Sequence, residues 1–471
     1  LLFTSAKYGV FLVAVFLVYW GLARIRLARM ALLLAASIFF YANWRIDYLV
    51  LLWFTGSLDF FVGGLLPSMR RPAGRRALLA VSLTANLGIL ALFKYADFLL
   101  GAASDFTTLL GLDPVRLRLG LILPLGISFY TFKSMSYVID IYRGTLAPTH
   151  RYHEYLLYVG FFPQIAAGPI TRAAQLLPQF ERRPSLTDIQ GSRALWLIMA
   201  GLFKKVVIAD ALGMGLVDRV FSIPEMYTSW EALAAIYGYA LQIYCDFSGY
   251  SDVAIGSALL LGFEIPDNFA LPYRATNLRD FWRRWHISLS TWFRDYLYIP
   301  LGGSRRGGAR TYFNLCATML LCGLWHGAEW KFLFWGALHA VGQSVTRLAQ
   351  RALGRDDAAT PLGRLLTGFV TFHFVCFAWI FFRADDLGAG CNLLRVAFSF
   401  IGGAPNLTWP VLLPLAVGYG LHWAPRRAES WVRDGFGRLP ASVQGLVLFA
   451  AAALLYAVAS RDVQPYIYTQ F

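Results

Sequence analysis

LGRLLTGFVTFHFVCFAWIFF, from Leu362 to Phe382, decides the fold class: of its 21 residues only Arg364 holds a permanent charge. About 20 predominantly apolar residues are what an α-helix needs to cross roughly 30 Å of hydrocarbon. Runs of the same kind recur along the chain. Before it they cover Tyr8–Ala23, Met30–Trp44, Ile46–Leu66, Ala77–Phe93, Tyr95–Leu112, Leu119–Tyr142, Tyr155–Ile170, Ala194–Val217 and Ala232–Phe263. Beyond a polar interval come Tyr312–His326 and Phe332–Val345, and after the quoted stretch Trp409–Trp423 and Val443–Ala459. Several are short or interrupted, which predicts roughly 11–13 spans with some re-entrant or interfacial helices. The runs are continuous rather than alternating, so a β-barrel is excluded. No charged linker, Ser/Gly tether or fixed-period repeat divides the chain, and a single all-α polytopic membrane domain over residues 1–471 is expected.

Composition agrees. The 471 residues are 58% hydrophobic and 15% charged, with 16% aromatic and a mean hydropathy of +0.53. Ordinary domains carry about 25% charged residues. One water-soluble core of this size could not hide so much apolar surface, and so apolar a chain does not stay solvated as a disordered one. Lys and Arg number 42 against 27 Asp and Glu, a net charge of +15. On a soluble protein that excess would suggest nucleic acid. Here the bases sit in short stretches between apolar runs, as cytoplasmic loops do, and no nucleic-acid partner is expected. Arg24, Arg26 and Arg29 follow the first run; Arg70, Arg71, Arg75 and Arg76 follow the third. Alternate loops share a side, so both would be cytoplasmic and the N-terminus outside. The first run lacks a small-residue cleavage site behind it and reads as a retained helix. Cys245, Cys316, Cys322, Cys376 and Cys391 show no CxxC spacing; they read as packing residues, with neither disulfide nor metal site expected.

The densest polar interval is 278–310. On a helical wheel at 100° per residue from Trp282, the residues Trp285, Leu289, Trp292, Phe293 and Tyr296 fall within about 80°. Arg283, Arg284, Thr291, Arg294 and Asp295 lie opposite, with Ser290 on the border. Such a stripe suits a helix at the membrane interface or lining a wet cavity. His286 falls at about 40°, on the aromatic face, and should point inward. The helix should stop near Ile299-Pro300.

Chemistry inside a membrane favours histidine, whose unperturbed pKa lies near 6.5. Of seven histidines, His150 and His153 sit in a polar loop. His339, His373 and His422 lie in helical patterns and read as packed side chains with one hydrogen bond each. His326, in Cys322-Gly-Leu-Trp325-His326-Gly327-Ala-Glu329-Trp330, ends an apolar run from Thr311 that carries it about 22 Å along a helix. Gly327 and Ala328 then offer a break where backbone can line a cavity. Spacing alone still favours a satisfied core histidine over a catalytic one. No HExxH, P-loop, GxGxxG or GxSxG appears in suitable context. Ser128 on its apolar helix reads as bonded back to the backbone rather than as a nucleophile. Asp246 and Asp252, inside a long apolar stretch, read as ion-pair partners for the arginines of 279–294 rather than as a proton relay.

Together these segments resemble the membrane-bound O-acyltransferase family, in its bacterial alginate O-acetyltransferase branch. The likeness rests on Phe93-Lys94-Tyr95, Leu123–Phe132, Phe161–Gln164 with Gly168–Ile170, Gly201–Lys205, Tyr244–Asp252, and Asn268-Phe269 with Pro272-Tyr273. Its most specific parts are Phe281–Ser290 and Gly323–Gly327. It spans nearly the whole chain, with its motif-rich core over 90–345. The closing aromatic motif, Tyr466–Phe471, departs from the family's at Thr469.

The resemblance implies helices around a central tunnel in a bacterial inner membrane, which would make the outside N-terminus periplasmic. It implies His326 as the catalytic residue and His286 as a second active-site position nearer the cytoplasmic mouth. Asp280, Arg283, Trp285, Ser290, Trp325 and Asp246 would be supporting or donor-binding residues. It further implies acyl transfer from a cytoplasmic thioester, acetyl-CoA first, as co-substrate rather than resident cofactor, to an exported polysaccharide by way of a periplasmic acetyltransferase partner. His286, aided by Asp280 or Arg283, would orient the donor or stabilise charge on the carbonyl oxygen. The arginine face would suit the phosphates of coenzyme A. Two alternatives stand beside this reading: an acyl carrier protein as donor, as in the D-alanylation branch, and a lipid or polysaccharide exporter without covalent chemistry.

Overall fold

A computed structural model describes residues 3–113, 117–354, 360–458 and 467. Among the described residues every regular element is helical, and the protein is an all-α polytopic membrane protein. The chain forms two compact units, Leu1–Leu186 with Ser257–Ile265, and Thr187–Gly256 with Pro266–Phe471.

The first unit is built around the Ile127–Arg143 helix, in which 13 of 17 residues are buried. A helix buried on all sides needs polar groups that satisfy one another, and Ser134 meets the Tyr155 hydroxyl at 2.9 Å. The apolar run over Leu119–Tyr142 becomes helical only at Ile127, because Gly126 takes a left-handed turn at φ 69°. A Cβ there would lie 1.8 Å from the Ile165 carbonyl oxygen, so no other residue fits. The run over Tyr155–Ile170 likewise stays helical only through Tyr152–Gly160. Pro163, Gly168 and Pro169 end it, and the buried chain that follows is tied down by side chains. Ser37 Oγ accepts from Phe162 N at 3.1 Å, and Gln164 links the Lys133 ammonium at 3.1 Å to the Pro169 carbonyl at 3.2 Å. Asp59, fully buried, joins the Leu49–Leu65 and Pro72–Leu90 helices by accepting from Ser82 Oγ at 2.6 Å and Asn86 Nδ2 at 2.8 Å.

The second unit packs helices backbone to backbone at glycines. A Cβ on Gly201 would meet the Gly249 carbonyl oxygen at 2.5 Å, and one on Gly249 the Gly201 oxygen at 2.6 Å. This is the small-residue contact that lets helices approach without a hydrophobic drive. Beside it lies a cluster of paired charges. Lys204 Nζ is 2.5 Å from Asp252, and Lys205 Nζ is 2.6 Å from Asp246 and 2.8 Å from Asp210. Asp246 and Asp252 therefore pair with lysines and not with the arginines of 279–294. The lysines open a wide π-helical turn, Lys204–Asp210, that swings them toward the acids on the Ser229–Leu260 helix. Of the tail motif, Ile467 alone is described; its N–H donates to Asp246 Oδ2 at 2.8 Å.

Among the described residues, three helical stretches can cross a membrane by length and composition: Leu49–Ser68, Pro72–Leu109 and Pro361–Arg383; Ala6–Gly21 and Ala441–Ala457 are shorter apolar helices. The expected runs Ala77–Phe93 and Tyr95–Leu112 are thus one stretch of 38 residues, joined through the π-helical turn Ala91–Tyr95. Other runs are split by Pro and Gly or carry charges, as Ser229–Leu260 does with Glu231, Asp246 and Asp252. Val10, Val13 and Leu17 on the first helix and Leu365, Phe369 and Val370 on Pro361–Arg383 lie exposed, an outer surface suited to lipid. Two of the three arginines used to orient the first loop are engaged within the protein, Arg26 at its half-buried edge and Arg29 inside it. Arg26 pairs with Glu154, and buried Arg29 donates to the Tyr19 hydroxyl at 3.1 Å.

Candidate active site

The wheel drawn from Trp282 to Tyr296 assumes one helix, and the structure has a break in it. Leu278–Arg284 ends at Trp285, His286 adopts a left-handed backbone (φ 43°, ψ 57°), and Ile287–Phe293 begins anew. A left-handed non-glycine residue costs on the order of 1–3 kcal/mol and persists only where its surroundings over-determine it. Asn268, 1% exposed, supplies that surrounding. Its carbonyl accepts from Ile287 N at 2.9 Å, and its side-chain Oδ1 accepts from Ser288 N at 3.2 Å and Ser288 Oγ at 2.9 Å. Two N–H groups that open the new helix are thereby satisfied from another segment. Ala270 N donates to the Arg284 carbonyl at 2.9 Å, and Ser290 Oγ to the Trp285 carbonyl at 3.1 Å, closing the other side of the break.

His286 points inward as expected, but through this break rather than by helical phase. Its ring is fully buried, lies 4.7 Å from Phe247 edge to face, and has Nδ1 3.2 Å from Asn268 Oδ1. His326, 2% exposed, is the last residue of Gly308–His326, with Gly327 extended and Trp330–Leu353 beginning after it. The break expected at Gly327 is there. A Cβ on Gly327 would fall 2.0 Å from the Phe332 ring, and one on Gly323 would fall 2.2 Å from the Phe332 carbonyl oxygen. The hairpin closes tightly because both positions lack a side chain.

Trp325 brings the two imidazoles into one cluster. Its ring centroid is 6.0 Å from that of His286 and 5.0 Å from that of His326. Trp335 and Phe382 close His326 in, each at 5.2 Å. The remaining expected residues scatter. Trp285 is buried in an aromatic stack with Phe281 at 5.7 Å and Trp379 at 5.0 Å. With Ser290 it shapes the chain break. Asp280 is held by Arg284 at 2.9 Å, and Arg283 is exposed. Asp246 belongs to the lysine cluster, one residue before Phe247. Glu329, three residues after His326, pairs with Lys331 at 3.2 Å.

Of the other helical histidines, His339 and His422 are buried as expected, with His339 Nδ1 accepting from Trp282 Nε1 at 3.3 Å and His422 Nε2 from Tyr273 N at 3.2 Å, while His373 is half-buried with Nδ1 2.8 Å from the Phe369 carbonyl. Sequence reading quoted Asn268 but gave it no role, and it missed Trp335 and Phe382. No local pattern marks an asparagine that meets a histidine 18 residues later. Trp335, by contrast, could have been found five residues into the helix behind the break.

Comparison with known proteins places the chain in a family. The model of the membrane-bound O-acyltransferase family matches residues 146–383, which include Asn268, His286 and His326. The chain is 42% identical over 375 residues, 79% of its length and 75% of the relative's, to the "Probable alginate O-acetylase AlgI" of Pseudomonas putida. It is 37% identical over 394 residues, 77% of the chain and 72% of the relative, to the peptidoglycan O-acetyltransferase of Helicobacter pylori. Against the teichoic acid D-alanyltransferase of Bacillus subtilis the identity is 29% over 271 residues, 55% of the chain and 68% of the relative. A match covering half the chain, and relatives aligned along more than three quarters of it, make this protein an enzyme of the membrane-bound O-acyltransferase family.

Proposed function

We propose that the chain is an O-acetyltransferase of the bacterial inner membrane. It takes the acetyl group of a cytoplasmic thioester, acetyl-CoA, and delivers it across the membrane for O-acetylation of an exported polysaccharide such as alginate, through a periplasmic acetyltransferase partner. Similarity to alginate O-acetylases and to a peptidoglycan O-acetyltransferase supports the acyl group and the class of acceptor. The observation that carries the chemistry is the burial of His286 and His326, both in ring contact with Trp325.

In the transfer, the acceptor hydroxyl oxygen attacks the thioester carbonyl carbon while His326 accepts the hydroxyl proton. The C–O bond forms, the C–S bond breaks, and the departing sulfur takes that proton from the imidazole. Ester and free thiol are the products, and the ring ends neutral. A base so placed is worth roughly 10²–10⁴-fold, and enclosure that holds donor and acceptor together adds to it. Of the expected cationic face of Arg279, Arg283, Arg284 and Arg294, exposed Arg283 is available to the donor's phosphates, whereas Arg284 and Arg294 are paired with Asp280 and Asp295.

The test is acetyl transfer from labelled acetyl-CoA in membranes carrying the parent chain or His326→Ala. The variant should lose at least about 100-fold of the transfer while keeping the parent's abundance and melting temperature. Transfer at the parental rate would overturn the assignment, and a variant that still exports polysaccharide at full acetylation would favour an exporter. Label that moves only when a carrier protein supplies it would shift the donor to a carrier thioester.

A further inference from the structure

Four groups meet at the Asn268 side chain, and their donor and acceptor capacities leave a single arrangement. The Ser288 backbone N–H can only donate, and it lies 3.2 Å from the atom assigned as Oδ1. That atom is therefore the amide oxygen and not the nitrogen, which settles an orientation otherwise ambiguous in Asn. The amide nitrogen, on the other side, donates to Ser251 Oγ at 3.3 Å. The same oxygen faces His286 Nδ1 at 3.2 Å. An amide oxygen only accepts, so Nδ1 carries the proton. In a neutral imidazole the other nitrogen then has a lone pair and no hydrogen.

We propose that Asn268 is a positioning residue that holds His286 as the Nδ1–H tautomer, so that Nε2 serves the reaction as a hydrogen-bond acceptor. The proposal rests on the acyl-transfer reading for its use, but the tautomer stands on geometry alone. Asn268, Ser288 and Ser251 are 1%, 5% and 1% exposed, so water does not compete for these bonds. The left-handed backbone of His286 belongs to the same device. It turns the ring back toward the segment that caps the next helix, so one asparagine fixes main chain and side chain together. A ring in this state has no N–H to offer a carbonyl oxygen. His286 therefore takes a hydrogen bond from an acceptor hydroxyl or from an intervening group, and the expected role of stabilising carbonyl charge falls to other residues. His339 makes a useful internal contrast. Trp282 Nε1–H donates to its Nδ1, and an indole N–H is donor only, so its proton sits on Nε2.

The test is nitrogen NMR of the full chain in detergent with labelled histidine, at a pH where the imidazoles are neutral. His286→Gln assigns the signal among the seven histidines. The parent should show His286 protonated at Nδ1 and bare at Nε2. Asn268→Asp, which keeps the accepting oxygen, should preserve that pattern. Asn268→Leu should move it to the other tautomer or a mixture, with kcat for acetyl transfer reduced roughly 10²–10⁴-fold and the donor KM unchanged. A parent ring protonated at Nε2 overturns the proposal, as does an Asn268→Leu protein matching the parent in both tautomer and kcat. Should Asn268→Leu not fold, the parent and Asn268→Asp spectra decide the matter. The expected tautomer in a protein that never transfers acetyl groups would uphold the role of Asn268 and overturn the functional reading instead.

Discussion

Lys205 has a side chain 2% exposed and two carboxylates within 2.8 Å, Asp246 and Asp210. Removing one partner of a buried pair costs about 3–5 kcal/mol, because the other charge is left stranded. The lysine here answers for two acids, so the substitutions should differ. Lys205→Met strands both carboxylates and should lower stability by at least that amount. Asp246→Asn leaves Lys205 its Asp210 partner and an amide oxygen, and its loss should be smaller. Thermal unfolding in detergent reads the order, and equal losses would show that Asp210 does not share the charge. At this scale, sequence located the acids and missed their partners. Lys204 and Lys205 begin an i→i+5 turn, which displaces the following residues from a 3.6-residue phase, and a wheel drawn through the region cannot anticipate that.

Helical elements show the same division between local and distant causes. The end of Gly308–His326 was legible because its signal, a glycine after a histidine at the close of an apolar run, lies in the run itself. The break at His286 was not, because the groups that reward it belong to Asn268 and Ala270. A continuous wheel put His286 on the right face by arithmetic that does not hold across the break. The hairpin that carries His326 makes a further expectation. At Gly323 an added Cβ meets the Phe332 backbone oxygen at 2.2 Å, whereas at Gly327 it meets the Phe332 ring. Rings can shift by a rotamer and paired helices cannot. Gly323→Ala should therefore cost at or above the upper end of the ~1–3 kcal/mol typical of overpacking, and Gly327→Ala less. Melting temperatures of the two variants compare them, and a milder Gly323→Ala would mean that the two helices separate easily.

For the molecule as a whole, composition and run lengths were enough for an all-α membrane protein, while the subdivision into two compact units left no mark in linker composition. Orientation rests on the loop after the third run, where Arg70 and Arg71 are exposed. With exposed Cys391 replaced by serine to remove its background, a cysteine placed by Arg71→Cys should react with a membrane-impermeant maleimide only when the cytoplasmic face is open. Labelling in intact cells would reverse the orientation.

The stretch Pro72–Leu109, with its 38 residues, has a last consequence. At 1.5 Å per residue it is about 57 Å long, nearly twice the roughly 30 Å of a hydrocarbon layer. Held straight, it would not fit even at a tilt of about 40°, and part of it would stand clear of the lipid. Asp97, Ser104, Asp105, Thr107 and Thr108 near its far end suit a wet setting. A bilayer a few ångströms thinner or thicker merely moves the waterline along such a mast, and the protein's working geometry should tolerate membranes of different tail length.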